Sequence, residues 1–204
     1  MKRRTLLLAL TLGVACLAHA QDKPLPTLDL NGDSTVKNGT KGQLGWGSVL
    51  SPHFVIPIVN RALGGRSSRT FLTEGLWDKV VADLKPGDFV LMQFGHNDGG
   101  DKFKGTRPRA SIKGNGEETE KGIVEATGKE ELVHSYGWYL RRYITDAKAK
   151  GATPLVLSPV PRNIWKDSKV GRASGDYGKW AREAAEQEKV PFIDLNADRS
   201  RAVF

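Results

Sequence analysis

Short apolar runs alternate with stretches of helical periodicity along most of this 204-residue chain. Thr27–Leu30, Val55–Val59, Phe89–Phe94, Pro154–Leu157 and Val190–Leu195 are each four to six residues long and bounded by Gly, Pro or polar residues. Runs of this length read as strands buried on both faces. Between them, Val133, Tyr136, Leu140, Tyr143, Ile144 and Ala147 repeat at helical spacing from about Glu130 to Lys150, with Gly151 placed to cap the end. Weaker helical patterns cover Phe71–Leu84, closed by Pro86-Gly87, and Tyr177–Glu188. Strand and helix in this alternation predict an α/β domain, because right-handed crossovers lay helices over a parallel sheet. In such folds ligands gather at the carboxyl ends of the strands, so the segment after each strand is where chemistry is expected.

The first twenty residues are set apart from that domain. Lys2, Arg3 and Arg4 precede an apolar stretch from Thr5 to Leu17, and Ala18-His19-Ala20 has the small-x-small form of a signal-peptidase site. The expectation is an exported protein, secreted or periplasmic, beginning at Gln21, with 21–204 as one domain. The apolar stretch is shorter than the roughly 20 residues that span a bilayer, and no later stretch approaches it. Cys16 is the one cysteine, so it is also the only residue a lipoprotein anchor would use, and cleavage before Gln21 leaves no thiol for disulfides or cysteine zinc sites. Removing three cations and no anion takes the formal charge from +8 to +5. That balance suits an acidic partner without choosing among nucleic acid, an anionic surface and an acidic polysaccharide.

Three successive strand ends carry polar, glycine-rich segments. Asn31-Gly32-Asp33-Ser34-Thr35 follows the first, Asn60–Arg69 the second, and Gly95-His96-Asn97-Asp98 the third. A serine hydroxyl becomes a nucleophile only where a base takes its proton and donors hold the oxyanion its attack creates. Ser34 is the candidate nucleophile, although a helix cap is the commoner explanation of an isolated Gly-Asp-Ser. Gly64-Gly65 permits close backbone approach, so the Gly65 N–H is a candidate donor, although a tight turn would use the same residues. Asn97 carries a side-chain amide that can donate at a strand end, and a structural Asn in a turn is its plainer explanation. Their value lies in convergence at one sheet edge.

These segments, with Tyr136-Gly137-Trp138-Tyr139-Leu140-Arg141 and Ser158-Pro159-Val160-Pro161-Arg162-Asn163, resemble the SGNH (GDSL) hydrolases, and more narrowly their rhamnogalacturonan acetylesterase-like branch. The resemblance spans about Leu28 to Leu195. It implies a flavodoxin-like three-layer α/β/α sandwich with a parallel sheet. It also implies Ser34 as nucleophile, with Gly65 and Asn97 forming an oxyanion hole beside the Ser34 amide, and it implies no metal or organic cofactor.

One departure stands beside the match. The family's Asp and His lie in a DxxH motif beyond the last strand, whereas no DxxH and no histidine follow Val190 here. With the sequence ending at Phe204, the expectation is a domain whose last helix is missing, leaving an apolar sheet face partly exposed. A serine triad without its base loses roughly 10⁴ to 10⁶ in turnover. His53, His96 and His134 are the other candidates. His96 adjoins Asn97 and is expected to shape the loop or touch substrate, while His53 and His134 are expected at capping or surface positions.

Gly99–Lys129 holds seven glycines and is too long for an ordinary connector, so it forms either a lip of the crevice or a disordered segment. Trp138, Trp165, Arg162 and Arg172 are candidates for stacking on sugars or pairing with uronates, against core packing or solvated charge for each singly. The function expected is a carbohydrate acetylesterase acting on a pectic polysaccharide. An inactive carbohydrate-binding remnant and a lipid or acyl-ester hydrolase of the same superfamily are the alternatives. The partner expected is an acetylated polysaccharide met by a monomer, with no nucleic acid and no stable membrane insertion.

Overall fold

The computed structural model describes residues 24–162, 164–166, 168–171 and 175–198. The expected signal segment with Cys16, and also Asn163 and Arg172, lie outside these. In chain order the elements are β1 (Leu28–Gly32), β2 (Ile58–Asn60), α1 (Ser68–Thr73), α2 (Leu76–Asp83), β3 (Phe89–Gln93), β4 (Thr119–Val124), β5 (Lys129–His134), α3 (Tyr136–Ala149), β6 (Thr153–Leu157), β7 (Trp165–Lys166), β8 (Lys169–Val170), α4 (Tyr177–Gln187), β9 (Phe192–Ile193) and α5 (Leu195–Asp198).

Five of the strands form one parallel sheet in the order β2-β1-β3-β6-β9. This is the doubly wound order of flavodoxin-like domains, and it puts the topological switch point where β1 and β3 lie side by side. Leu28 pairs with Phe89 and Gly32 with Gln93, so β1 and β3 end level with one another. The α/β class and the parallel sheet therefore stand as expected from the alternation of runs.

The strands carry two cores because successive side chains point to opposite faces. Val90, Met92 and Val156 face the helices, where they pack with Phe71, Trp77, Tyr136, Tyr143, Ile144 and Ala184. Aromatic rings dominate this layer: Trp77 and Tyr143 have centroids 4.5 Å apart, and Phe71 and Phe94 5.3 Å apart. Burying each such ring stabilises by roughly 2–3 kcal/mol. Within it Tyr136 donates to the Phe94 carbonyl at 2.9 Å and Trp77 Nε1 to Asp146 at 3.0 Å. On the opposite face Leu28, Leu30, Val36 and Ala62 pack with Trp46, Leu50 and Ile58, carried by the chain between β1 and β2 and its two short 3₁₀ turns. Phe89, Leu91 and Leu155 stay half-buried on this side.

Several boundaries differ from the periodicity reading. The long helix does not begin near Glu130. Lys129–His134 instead pairs antiparallel with Thr119–Val124, from Val124 opposite Lys129 to Thr119 opposite His134. Ser135 then caps the helix, its Oγ accepting from the Trp138 N–H at 3.1 Å and donating to the Gly116 carbonyl at 2.5 Å. Replacing the fully buried Ser135 by Ala is expected to lower the unfolding free energy by about 1–2 kcal/mol in chemical denaturation. The Phe71–Leu84 stretch is likewise two helices rather than one, broken at Gly75, whose φ of 70° is left-handed. β2 begins at Ile58 rather than Val55, which is 93% exposed, and β9 covers only two residues of the expected Val190–Leu195.

The 99–129 segment is ordered, so the disorder alternative does not hold. Arg69 on α1, 1% exposed, holds it down with bonds to the carbonyls of Lys102 and Ala110 and an ion pair at 2.6 Å to Glu131. Asp98 adds a second tie by accepting from Ser68 on α1 and from Ser111 in the insert.

Candidate active site

The turn that leaves β1 is built around Asp33. Its Oδ1 accepts from both the N–H and the hydroxyl of Thr35 at 2.8 Å, and its carbonyl accepts from the N–H groups of Val36 and Lys37. Ser34 is thereby held at the crest of a closed turn. Gly32 must be glycine for this turn to sit at the switch point, because a Cβ there would lie 2.5 Å from the Gln93 carbonyl and 2.6 Å from Val36. Gln93 fastens the turn from β3, donating to Thr35 Oγ1 at 3.1 Å while accepting from Trp46 Nε1.

The second segment lies against the first. A Cβ on Gly64 would be 3.5 Å from the Ser34 Cβ, so this glycine rests directly on the serine. Gly65 follows with φ of 80°, a left-handed conformation that glycine adopts without a Cβ penalty. Among the described residues no protein group accepts from the backbone N–H of Ser34 or of Gly65. Both are therefore available as donors.

The third segment joins through Asn97, whose Nδ2 donates to the Arg66 carbonyl at 3.0 Å. A carboxamide nitrogen has two hydrogens, so one remains after this bond is made. The neighbouring Asp98 is fully buried, and burial pushes its carboxyl up to about 6 against the opposing hydrogen bonds from Ser68 and Ser111. The sequence-predicted residues Ser34, Gly65 and Asn97 thus belong to three segments that touch one another at the carboxyl edge of the sheet.

Ser34, Thr35, His96, Pro161, Arg162 and Ile164 line one cavity of about 370 Å³. Burial lowers the pKa of His96 most, and Arg162 adds to this against the opposing pull of Asp33 and the Val160 carbonyl. Arg162 also donates to the His96 carbonyl at 2.9 Å. His96 thus lies beside Ser34 in this cavity, its Nε2 buried and without a hydrogen-bond partner among the described residues. Ser34 Oγ accepts no imidazole hydrogen bond and donates to none among the described residues. His53 is exposed on a 3₁₀ turn, and His134 ends β5 stacked on Trp138 with ring centroids 3.7 Å apart. Trp138 is therefore engaged by a neighbouring ring, while Trp165, 64% exposed, follows the cavity-lining Ile164.

Sequence reasoning missed Gln93 and Trp46, which fasten the serine turn, and Arg107 and Arg109, which reach Gly65 from the insert. Arg109 Nη1 donates to the Gly65 carbonyl at 3.1 Å. Nothing local marks these residues, because their partners lie 42 or more positions away in the chain.

The GDSL-like Lipase/Acylhydrolase family model matches residues 30–203. The chain is 32% identical to a rhamnogalacturonan acetylesterase of Emericella nidulans over 84% of its own length and 67% of the relative's. It is 34% identical to a probable rhamnogalacturonan acetylesterase, YesY, of Bacillus subtilis over 86% of its own length and 72% of that relative's. Among solved structures, the protein YxiM of Bacillus subtilis superposes with a TM-score of 0.63 at 28% identity, over 86% of this chain and 45% of YxiM.

Proposed function

Because the chain belongs to the GDSL-like lipase/acylhydrolase family, we propose that it is an exported serine esterase that removes acetyl groups from a pectic polysaccharide such as rhamnogalacturonan. Ser34 Oγ attacks the acetyl carbonyl carbon and the C–O bond to the sugar breaks, the proton lost by the serine hydroxyl ending on the departing sugar oxygen, to leave an acetylated serine. The N–H groups of Ser34 and Gly65 and the free hydrogen of the Asn97 amide hold the oxyanion that forms on the way. Water then attacks the acetyl-serine carbonyl, the bond to Oγ breaks, and acetate leaves as a proton from the water returns to Ser34 Oγ. The observation that carries this reading is the meeting of the three strand-end segments: Gly64 rests on Ser34, and Asn97 is bonded to Arg66.

The acetyl group and the glycan are supported by the two acetylesterase relatives and by the cavity at Ser34, where polar and cationic groups stand beside only two apolar side chains, Pro161 and Ile164. A long acyl chain would need an extended apolar groove. The test compares acetate release from acetylated rhamnogalacturonan with hydrolysis of 4-nitrophenyl palmitate. Faster turnover of the acetylated polymer is expected. Preference for the long-chain ester would reject the polysaccharide assignment, and no release from any ester would reject the esterase itself in favour of glycan binding alone.

A further inference from the structure

Beside Gly65 lies a second cavity, of about 470 Å³, enclosed by α1, the 106–109 segment and the β4–β5 hairpin. Its charges can be sorted into pairs and a remainder. Glu74, Glu130 and Glu131 border it, and each carboxylate is already ion-paired, with Arg66 at 2.9 Å, Lys121 at 2.8 Å and Arg69 at 2.6 Å respectively. Arg107, Arg109 and Lys129 border the same cavity, and among the described residues none of them has a carboxylate within 4.0 Å. The remainder is therefore cationic.

Two of these cations are held at the edge of the candidate oxyanion hole. Arg109 bonds the Gly65 carbonyl, and the Arg107 guanidinium occupies the space that a Cβ on Gly65 would need. Burial and the field of Arg107 lower the pKa of Arg109, opposed by the fields of Asp98 and Asp33, and Arg162, from the Ser34 cavity, adds to the lowering. The like charges of exposed Arg107 and half-buried Arg109 stand side by side and repel, with no carboxylate within 4.0 Å of either among the described residues. A bound carboxylate would relieve that repulsion, and the planar guanidinium fork matches a carboxylate with two parallel hydrogen bonds.

We propose that Arg107 and Arg109 form a subsite for the carboxylate of a uronate residue, seated beside Gly65 and next to the sugar whose acetyl group reaches Ser34. The subsite makes the protein select anionic over neutral glycans. Lys129, further along the same wall, adds attraction without a directional fork. The inference rests on the esterase reading for the position of the acetyl group alone, because the carboxylate would bind whether or not acetate is released.

The test is titration calorimetry of the intact protein with trigalacturonate, its methyl ester and xylotriose. Trigalacturonate is expected to bind, at least about tenfold more tightly than its methyl ester, with affinity falling as salt is raised. Arg107→Ala is expected to weaken trigalacturonate binding about tenfold, and Arg109→Lys to weaken it less because the charge stays while the fork is lost. Circular dichroism of each variant separates lost binding from lost folding, and Arg107→Gln serves if the alanine variant does not fold. Equal affinity for the acid and its methyl ester, unchanged acid binding in the Arg107→Ala, Arg109→Ala double variant, or no binding of trigalacturonate would each overturn the subsite. Acetylation of Ser34 is read in a separate experiment, so failure of either proposal is visible without the other.

Discussion

Incubation with an activated acetyl ester such as 4-nitrophenyl acetate is expected to leave an acetyl group on Ser34, found by peptide mass spectrometry and absent from Ser34→Ala. The reason lies in what the site contains. Two unoccupied N–H groups and the Asn97 amide favour the oxyanion of the first step, while no imidazole is bonded to Ser34 Oγ among the described residues. A phenolate leaving group needs no proton from the enzyme, so acylation proceeds. Water attack on the acetyl-serine is slow where no imidazole serves it, so the adduct builds up ahead of acetate release. In a serine esterase whose base is in place, loss of the nucleophile costs roughly 10⁴ to 10⁶ in turnover. The same change in acetate release from polysaccharide would show that some imidazole serves Ser34 in solution. Asn97→Ala is expected to act more weakly, slowing formation of the adduct by about 10²- to 10³-fold, the usual effect of one oxyanion donor. An adduct on another residue, or one that survives Ser34→Ala, would end the nucleophile assignment.

The second large effect is on stability. Asp98→Ala is expected to lower the unfolding free energy by about 3–5 kcal/mol, because the Ser68 N–H, the Ser68 hydroxyl and the Ser111 hydroxyl lose their acceptor in a fully buried place. Those bonds tie α1 and the insert to the strand end that carries Asn97, so the site loosens together with the fold. Asp98 also links stability to pH. Its carboxyl titrates at about 6 in the folded protein and near 3.8 in the unfolded chain, so between these values the folded state binds more protons. Stability from this group is therefore fully present below the unfolded value and is lost as pH rises through about 6, by on the order of 3 kcal/mol. Asp98→Asn keeps a hydrogen-bonding group of the same shape and cannot ionise. The difference in urea midpoint between wild type and Asp98→Asn should therefore change from about pH 4 to about pH 7, the wild type gaining at the acid end. A difference that stays constant with pH would show that Asp98 does not titrate as described.

The parts of the fold legible in the chain were those set by local pattern. Phe89–Gln93 and Thr153–Leu157 carry apolar side chains toward both faces, one buried under helices and the other half-buried, and such runs announce themselves without any knowledge of their neighbours. The stripe Tyr136, Leu140, Tyr143, Ile144 and Ala147 is helical for the same reason. Its upstream extension to Glu130 failed because Glu130 to Val133 has no strong preference of its own and follows a partner strand, Thr119–Val124, that periodicity does not see. The break at Gly75 was hidden in a similar way, since one glycine inside an apolar pattern is compatible with either outcome.

The sequence by itself determined the α/β alternation, the three polar segments at successive strand ends, and the serine, glycine and asparagine within them. Each of these depends on residues close together in the chain, where side-chain period and turn chemistry act directly. Only the tertiary structure decided that Gln93 and Trp46 fasten the Ser34 turn, that Asp98 clamps Ser68 and Ser111, and that Arg107 and Arg109 stand at Gly65 with no carboxylate within 4.0 Å among the described residues. The physical reason is that hydrogen bonding, burial and charge balance depend on distance in space, and the folded sheet sets that distance for residues dozens of positions apart.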